Sequence, residues 1–429
     1  MKSYIFIFVA TAVCYSQSTG FAIYGVGENI QNNEPASLSM GNSLLFSGNS
    51  KNISTGSPSS LWRSSLTRFS IHTGINVLKS TQFPNQFHHN LTSFSIHFPV
   101  GNKKVFGFGL QPVYRTNKLD IENKDFQFIG ADASNSGTPI AFKNSYSIDG
   151  GISEFFFEYS QKLSQHYAGG LKFSFLFGNQ YHNDELHTYD VMFDTTLTGE
   201  LLYEYVYGDD TLYAQANNRV ITGLNNSRKF SGSTITFEGR YTYEKHEGVL
   251  SASLNSRIKV VSQNTQTTNN ITYTNSFINS SNGILSKLRI GYLYKIKNNS
   301  GITMELYRSY PFSIPENIAL FNIMPPKESS IHLGYYHQII NSTIGYWNNL
   351  NLRCGTYFKQ LDFTGEKFID YGATIGLGIE YLANSQSIDF ALRTGKMESR
   401  FINGAFEEYI SIHFGFTTGE KWFMKSRRK

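Results

Sequence analysis

The chain is short of cysteine, of charge and of long hydrophobic runs, and each shortage closes off a class of protein. Only Cys14 and Cys354 occur in 429 residues, so a disulfide framework or a paired Cys-x-x-Cys metal or redox centre is excluded. Charged residues make up 16% and the formal net charge is +5. The densest basic cluster, Lys425-Ser-Arg-Arg-Lys429, reads as a solvated tail, and no nucleic-acid partner is expected. No segment approaches the ~20 consecutive apolar residues of a membrane-crossing helix. A Gly-x-Ser-x-Gly elbow, a His-Glu-x-x-His pair and a P-loop are all missing, so the expectation is no enzyme, no cofactor and no metal.

What the chain does hold is 35 Phe and 27 Tyr, 15% aromatic in all, beside 37 Gly and a polar average, with mean hydropathy −0.30. An apolar outer face, aromatic rims and a polar interior combine in that way in a transmembrane β-barrel. The order of residues agrees. Between Leu66 and Phe416 fourteen segments alternate apolar and polar residues, as a wall between lipid and a wet lumen must. In Tyr167–Phe177 the residues Tyr167, Leu171, Phe173, Phe175 and Phe177 share one face, and Ala168, Gly170, Lys172 and Ser174 the other.

The predicted strands are 66–78, 90–99, 103–115, 145–160, 166–180, 232–244, 248–262, 284–296, 300–310, 328–341, 346–360, 367–382, 386–397 and 406–416. Connections after even-numbered strands are tight and polar. Those after odd-numbered strands include long loops at 117–144, 181–231 and 263–283. This asymmetry places the barrel in the outer membrane of a diderm bacterium with both termini in the periplasm. Tyr189–Phe193 and Leu201–Tyr207 are strand-like, so 181–231 holds either an outer hairpin or two further membrane strands, for a count of fourteen or sixteen.

Residues 1–16 read as a secretory signal, with one Lys, a short apolar run, and Cys14 and Ser16 at −3 and −1 of a cut before Gln17. Residues 17–61, rich in Gly, Ser and Asn with small apolar islands, precede the first strand. A fourteen-strand lumen is too wide for wall side chains to fill. The expectation is therefore an N-terminal plug, followed by a barrel over 62–418 and a basic periplasmic tail over 419–429.

In this layout the chain resembles the FadL family of outer-membrane transporters for hydrophobic compounds, which have fourteen strands and an N-terminal hatch. Gly25-Val-Gly27, then Met40-Gly41, then Ser57-Pro58-Ser59 before Leu61-Trp62 follow the order of the family's hatch. Ser57-Pro58-Ser59 departs from the family's Asn-Pro-Ala turn. The resemblance implies passive uptake of fatty acids or hydrocarbons, lateral release into the membrane through a kinked third strand, and contact with outer-membrane lipid. On that strand Gly107, Gly109 and Pro112 are the candidates for the lateral opening, since glycine bends strands and proline cannot donate to the ladder. An alternative within the same resemblance is a PorV-like partner for secreted proteins. A plain porin is disfavoured, because a plug of this length should block ion flow.

Register turns Arg240, Arg257, Arg289, Arg353 and Arg393 inward among Glu238, Glu380 and Asp389. They either hold the hatch through ion pairs or meet a ligand carboxylate in bidentate fashion. The apolar run Ile314, Ile318, Leu320, Phe321, Ile323 and Met324 in 311–326 is a candidate patch at the outer mouth, or simply packs on its neighbours. Lumen residues His72, His97, Glu154, Glu158, Glu305, His332, Asp389 and His413 are read as hydrogen-bond partners of the plug and water rather than as a catalytic site. His88-His89 is expected in an outer loop, without the further ligands a metal needs.

Overall fold

A computed structural model describes residues 21, 26–30, 34–82, 85–129, 138–192, 201–207, 210–215, 220–256, 258–268, 271–280, 285–310, 326–340, 347–363, 366–382 and 384–420. Fourteen antiparallel strands form a closed wall. They are β1 (Thr67–Ser80), β2 (Gln86–Gly101), β3 (Lys104–Ile129), β4 (Thr138–Lys162), β5 (Tyr167–Met192) and β6 (Val220–Tyr243). Then come β7 in two pieces (His246–Asn255 and Lys259–Thr268) and β8 in two (Ile271–Ser280 and Leu285–Lys297). The remainder are β9 (Ser300–Ser309), β10 (Lys327–Ile340), β11 (Asn349–Phe363), β12 (Glu366–Tyr381), β13 (Gln386–Ser399) and β14 (Phe406–Glu420). The barrel closes where β14 pairs with β1, from Glu420↔Thr67 to Glu407↔Ser80.

Closure matters because a strand edge facing lipid would leave backbone groups without partners. Alternation then sorts the side chains. On β5 Tyr167, Leu171, Phe175 and Phe177 stand outside, while Ala168, Ser174 and Leu176 are buried. On β14 Ile410, Ile412 and Phe414 face out and Tyr409, Ser411 and His413 face in. Among the described residues no helix is long and apolar enough to cross a membrane.

All fourteen predicted strands are present, but they run on into the regions expected as long loops. Most of 117–144 and 263–283, and both ends of 181–231, continue the wall as strand, with β3 running to Ile129, β4 starting at Thr138, β5 reaching Met192 and β6 starting at Val220. His88 and His89 likewise lie within β2, not in a loop. In sequence these stretches lack the sustained apolar period that marks a lipid-facing strand. The strand-like pieces between β5 and β6 form a small hairpin, Leu201–Tyr207 with Asp210–Gln215, which pairs with β5 at Val191 and Met192. The membrane count is fourteen.

The N-terminal segment fills the lumen. It contains a two-residue strand (Glu28–Asn29), one helical turn α1 (Pro35–Leu38) and a 3-10 helix (Pro58–Arg63). Its apolar islands bury against the inner wall: Phe21 packs with Leu361, Phe368 and Met397, and Met40, Leu45 and Phe46 with Val249, Leu293 and Tyr336. Ile53 and Leu61 meet Val105. The segment therefore reaches from Phe21, beside the β11–β12 and β13–β14 connections, to Asn49–Asn52 and Arg63, beside the short turns at the opposite end.

Candidate functional site

Two irregularities of the wall meet the hatch at one place. The first is a belt of bulges. Three strands between β3 and β8 lose regular pairing at one height, β3 between Pro112 and Leu119, β4 at Gly151–Ile152 and β7 between Asn255 and Lys259, while β5 and β6 pair with each other unbroken from Tyr167↔Tyr241 to Thr188↔Val220. Gly150, Gly151 and Gly178 have φ of +110°, +149° and +156° there. A Cβ on any of them would fall within 2.2 Å of neighbouring backbone, so only glycine fits. An extra residue in a strand flips the alternation beyond it. Here the inward parity changes on β3, from Val113 to Tyr114 and Thr116, and on β7, from Ser253 to Ile258 and Val260, and at that height an apolar cluster lies inside the lumen, Val113, Tyr114, Ile152, Leu176, Phe230, Ile258 and Val260, closed by Val26 of the hatch.

The second irregularity is an opened seam. β2 and β3 pair from Gly101↔Lys104 up to Phe94↔Leu110, and among the described residues no pairing follows. Above that point β2 continues to pair with β1 and β3 with β4, leaving two edges face to face. The hatch covers one of them. Glu28 and Asn29 pair with Arg115 and Tyr114, and Ile30 N–H donates to the Val113 carbonyl at 2.9 Å. Gly27, φ +116°, lets the hatch backbone approach Arg115, where a Cβ would come within 2.3 Å.

Of the predicted opening residues, Gly107 and Gly109 lie inside the paired part, opposite His97 and Ser95, and only Pro112 stands past the last pair. The glycines are small because the His97 and Phe156 rings occupy the inward space beside them. The break follows from proline's missing donor at the next rung.

Elsewhere the hatch is held by buried charge. Arg240 donates to Ser59 Oγ at 2.9 Å, Ser57 Oγ at 2.6 Å and the Leu45 carbonyl at 3.0 Å, and pairs with Glu247. Glu238 accepts from the Ser57 and Ser59 hydroxyls, and Arg63 pairs with Glu247 at 2.8 Å. Arg289 pairs with Glu305 at 2.5 Å, whose other oxygen takes Ser43 Oγ and the Leu44 and Leu45 N–H groups. Glu380 accepts Ser50 N–H at 2.9 Å and its hydroxyl at 2.5 Å. Gly41, φ +72°, nests against Leu333 and Thr356, its N–H donating to Thr374 Oγ1 at 2.8 Å, and Met40 beside it is fully buried.

Two predicted arginines do something else. Arg353 pairs with wall residue Asp389 at 2.8 Å, and Arg393 lies over the Tyr409 ring at 4.6 Å. Gly25, Arg257 and the run Ile314, Ile318, Leu320, Phe321, Ile323 and Met324 lie outside the described residues. The lumen histidines are engaged with their surroundings: His72 with Ser93, His97 with Glu158 at 3.0 Å, and His332 with the Gly41 carbonyl at 2.8 Å. Among the described residues no group of three or more His, Cys, Asp or Glu could hold a metal.

Sequence reasoning missed Glu34, Glu247 and Arg63. Glu34 accepts the Thr55 N–H at 2.8 Å and the Ser37 and Ser54 hydroxyls at 3.1 Å, folding the hatch on itself. Burial raises its carboxyl pKa above the ordinary value, and those donors pull it back only in part. Burial also raises that of Glu28, against the opposing pull of Arg393 and Lys359. A carboxylate placed among several Ser and Thr was the available signal for Glu34.

Beside the belt an internal cavity of about 70 Å³ is lined by Gln111, Tyr114, Glu154, Lys172, Lys287 and Arg289, among others. A benzene-sized guest occupies about 150 Å³ in an apolar cavity. Passage of such a molecule therefore requires the hatch to shift.

Compared with known proteins, the chain is similar in fold to the CymD monoaromatic hydrocarbon channel, with TM-score 0.55, 11% identity, and 92% of this chain and 100% of that chain covered. It is similar to the TodX monoaromatic hydrocarbon channel deltaS2 mutant, with TM-score 0.51, 11% identity, and 92% and 100% covered. A Pseudomonas aeruginosa FadL homologue aligns with TM-score 0.48 at 8% identity over 95% of this chain and 99% of that one. No curated protein sequence matches. One family model, described as BamG, matches residues 2–429.

Proposed function

The chain belongs to the BamG family, and from its barrel, similar in fold to hydrocarbon channels, and its seam we propose that it is an outer-membrane conduit for hydrophobic small molecules with lateral release between β2 and β3. The observation that carries this reading is the coincidence of the unpaired seam above Phe94/Leu110 with the apolar cluster behind it. Lipid tolerates two unpaired edges only where something covers them. The hatch strand Glu28–Ile30 supplies the cover on β3, and Val26 stops the apolar cluster. Retreat of residues 26–30 would join the cluster to the seam in one step. The fold relatives that are monoaromatic hydrocarbon channels agree with a small apolar cargo. In this reading the short turns and both termini face the periplasm, the hatch lies over residues 17–61, and the protein is not an enzyme.

The test is to lock the cover. Asn29 and Tyr114 are directly opposed partners, and the Ile30–Val113 hydrogen bond makes theirs the closer, non-bonded kind of pair, about 4.5 Å between Cα atoms, within disulfide range. Asn29→Cys with Tyr114→Cys should stop uptake of radiolabelled toluene or oleate under oxidising conditions and restore it on reduction. Equal uptake in both states would rule out the seam.

A further inference from the structure

At the short-turn end a cavity of about 280 Å³ opens between the hatch and the rim. Its walls include Lys51, Arg63, Lys162 and Lys295, with Trp62 and His166. No carboxylate lines it, and among the described residues Lys51, Lys162 and Lys295 form no ion pair. Trp62 forms the floor for this charge, with Lys162 Nζ 4.8 Å from its ring centre and the Arg63 guanidinium 5.6 Å away. The neighbouring turns add Lys103, Lys104, Lys245 and Lys297 against the single acid Glu244. This concentration of one sign is absent from the lumen, where Arg240, Arg289 and Arg353 each have a carboxylate partner.

From this arrangement we infer that the short-turn mouth is a binding site for a phosphate-bearing anion. A carboxylate is the poorer fit, because its best partner is a free guanidinium fork, and the Arg63 fork is spent on Glu247 and the Asn52 carbonyl. What remains are three ammonium groups, compact point charges that suit an anion with three or four oxygens spread around one centre. Exposed Tyr167 and Leu163 lie at the same rim, 56% and 66% exposed. Such side chains mark the membrane interface, where a phospholipid presents its phosphate. A soluble phosphate has the same chemistry, and the experiment separates the two sources.

The full-length protein in zwitterionic detergent is titrated with inorganic phosphate while tryptophan fluorescence is followed. A saturable change is expected, lost in Trp62→Phe and at least tenfold weaker in Lys51→Gln/Lys162→Gln/Lys295→Gln. In parallel, protein from nanodiscs of phosphatidylglycerol mixed with phosphatidylcholine is examined by native mass spectrometry. Selective retention of phosphatidylglycerol, lost in the triple variant, would support the site and assign it to a lipid headgroup. A phosphate response without lipid selectivity would support it and assign it to soluble phosphate. Neither response, or a response unchanged by the triple substitution, overturns the inference. Should the triple variant fail to assemble, Lys162→Gln alone, whose ammonium lies over Trp62, carries the same comparison.

Discussion

The two halves of the wall are built to different rules. From β9 to β14, with β1, the strands hold 10 to 16 residues, near the ~9–11 that one tilted crossing needs. From β3 to β6 they hold 24 to 26, about 80 Å of extended chain at ~3.3 Å per residue. The belt of bulges separates the portions of the tall strands: below it Ile152–Lys162 or Tyr167–Phe177 is again one crossing long. In a barrel of this build the belt lies near one face of the membrane, at the height where the β2–β3 seam opens, and the tall strands continue beyond it. The hatch follows the same division. It is fastened to the short half by Thr374, Glu305 and Glu380 and, toward the short turns, to the tall half by Glu238 and Arg240 of β6, whereas at the belt its contact with the tall half is a two-residue strand and Val26. The hatch is anchored around the lower wall, and at the belt the tall half offers an edge it can leave.

The comparison can be broken most severely at the anchor. Arg240→Ala leaves Glu247 with Arg63 alone and removes the cation beside Glu238. Loss of one partner from a buried pair costs about 3–5 kcal/mol, so the hatch should undock, seen as raised single-channel conductance in planar bilayers. A second substitution sharpens the boundary. Ile412 on β14 and Ile278 on β8 are both exposed, 51% and 67%, but only Ile412 faces lipid on this account. Ile412→Lys should cost about 2–4 kcal/mol and Ile278→Lys within about 0.5 kcal/mol, read from equilibrium unfolding in urea with lipid vesicles. Equal costs would erase the distinction.

The belt itself is tested by Gly150→Ala, which forces a Cβ to 2.2 Å from the Asn179 carbonyl oxygen at φ +110°. Backbone strain alone costs about 1–3 kcal/mol, and the expected result is a lower midpoint in the same urea assay. The smallest effect is in pH. Glu28 and Glu34 have pKa values raised by burial, so the docked hatch binds more protons than the undocked one between the ordinary carboxyl value and the raised ones. Its docking is then weakened as pH rises through that window and strengthened as pH falls. Hydrogen exchange of residues 26–38 should be slower, after correction for intrinsic rates, at pH 5 than at pH 7.5.

Most of the membrane-crossing wall was legible, because lipid on one side and water on the other force an alternation that Tyr167–Phe177 or Tyr409–Phe416 displays residue by residue. The tall extensions were not. Lacking a sustained apolar period, stretches such as Asn264–Asn275 read as loop, and only pairing with neighbours makes them sheet. Pro112 was visible as a break, whereas the belt was not: Gly150, Gly178 and Ile258 lie on different strands and become neighbours in height only once register is set. The inward placing of Arg240, Arg289 and Arg353 followed from period two, but their partners did not. Glu247 faces Arg240 across the β6–β7 hairpin while also reaching Arg63 from the hatch, a three-way meeting that no local spacing announces.

The path of the N-terminal segment carries an obligation for biogenesis. Phe21 sits near one mouth and Arg63 near the other, so the chain is threaded along the whole bore before the first strand begins. A rigid closed cylinder would not admit a segment already fastened by Glu305 and Glu380 on its inner surface. The segment that precedes the first strand must then be laid in place while the cylinder is still an open sheet. The zipping of Glu420–Glu407 against Thr67–Ser80 becomes the terminal event, one that seals the hatch inside its own frame.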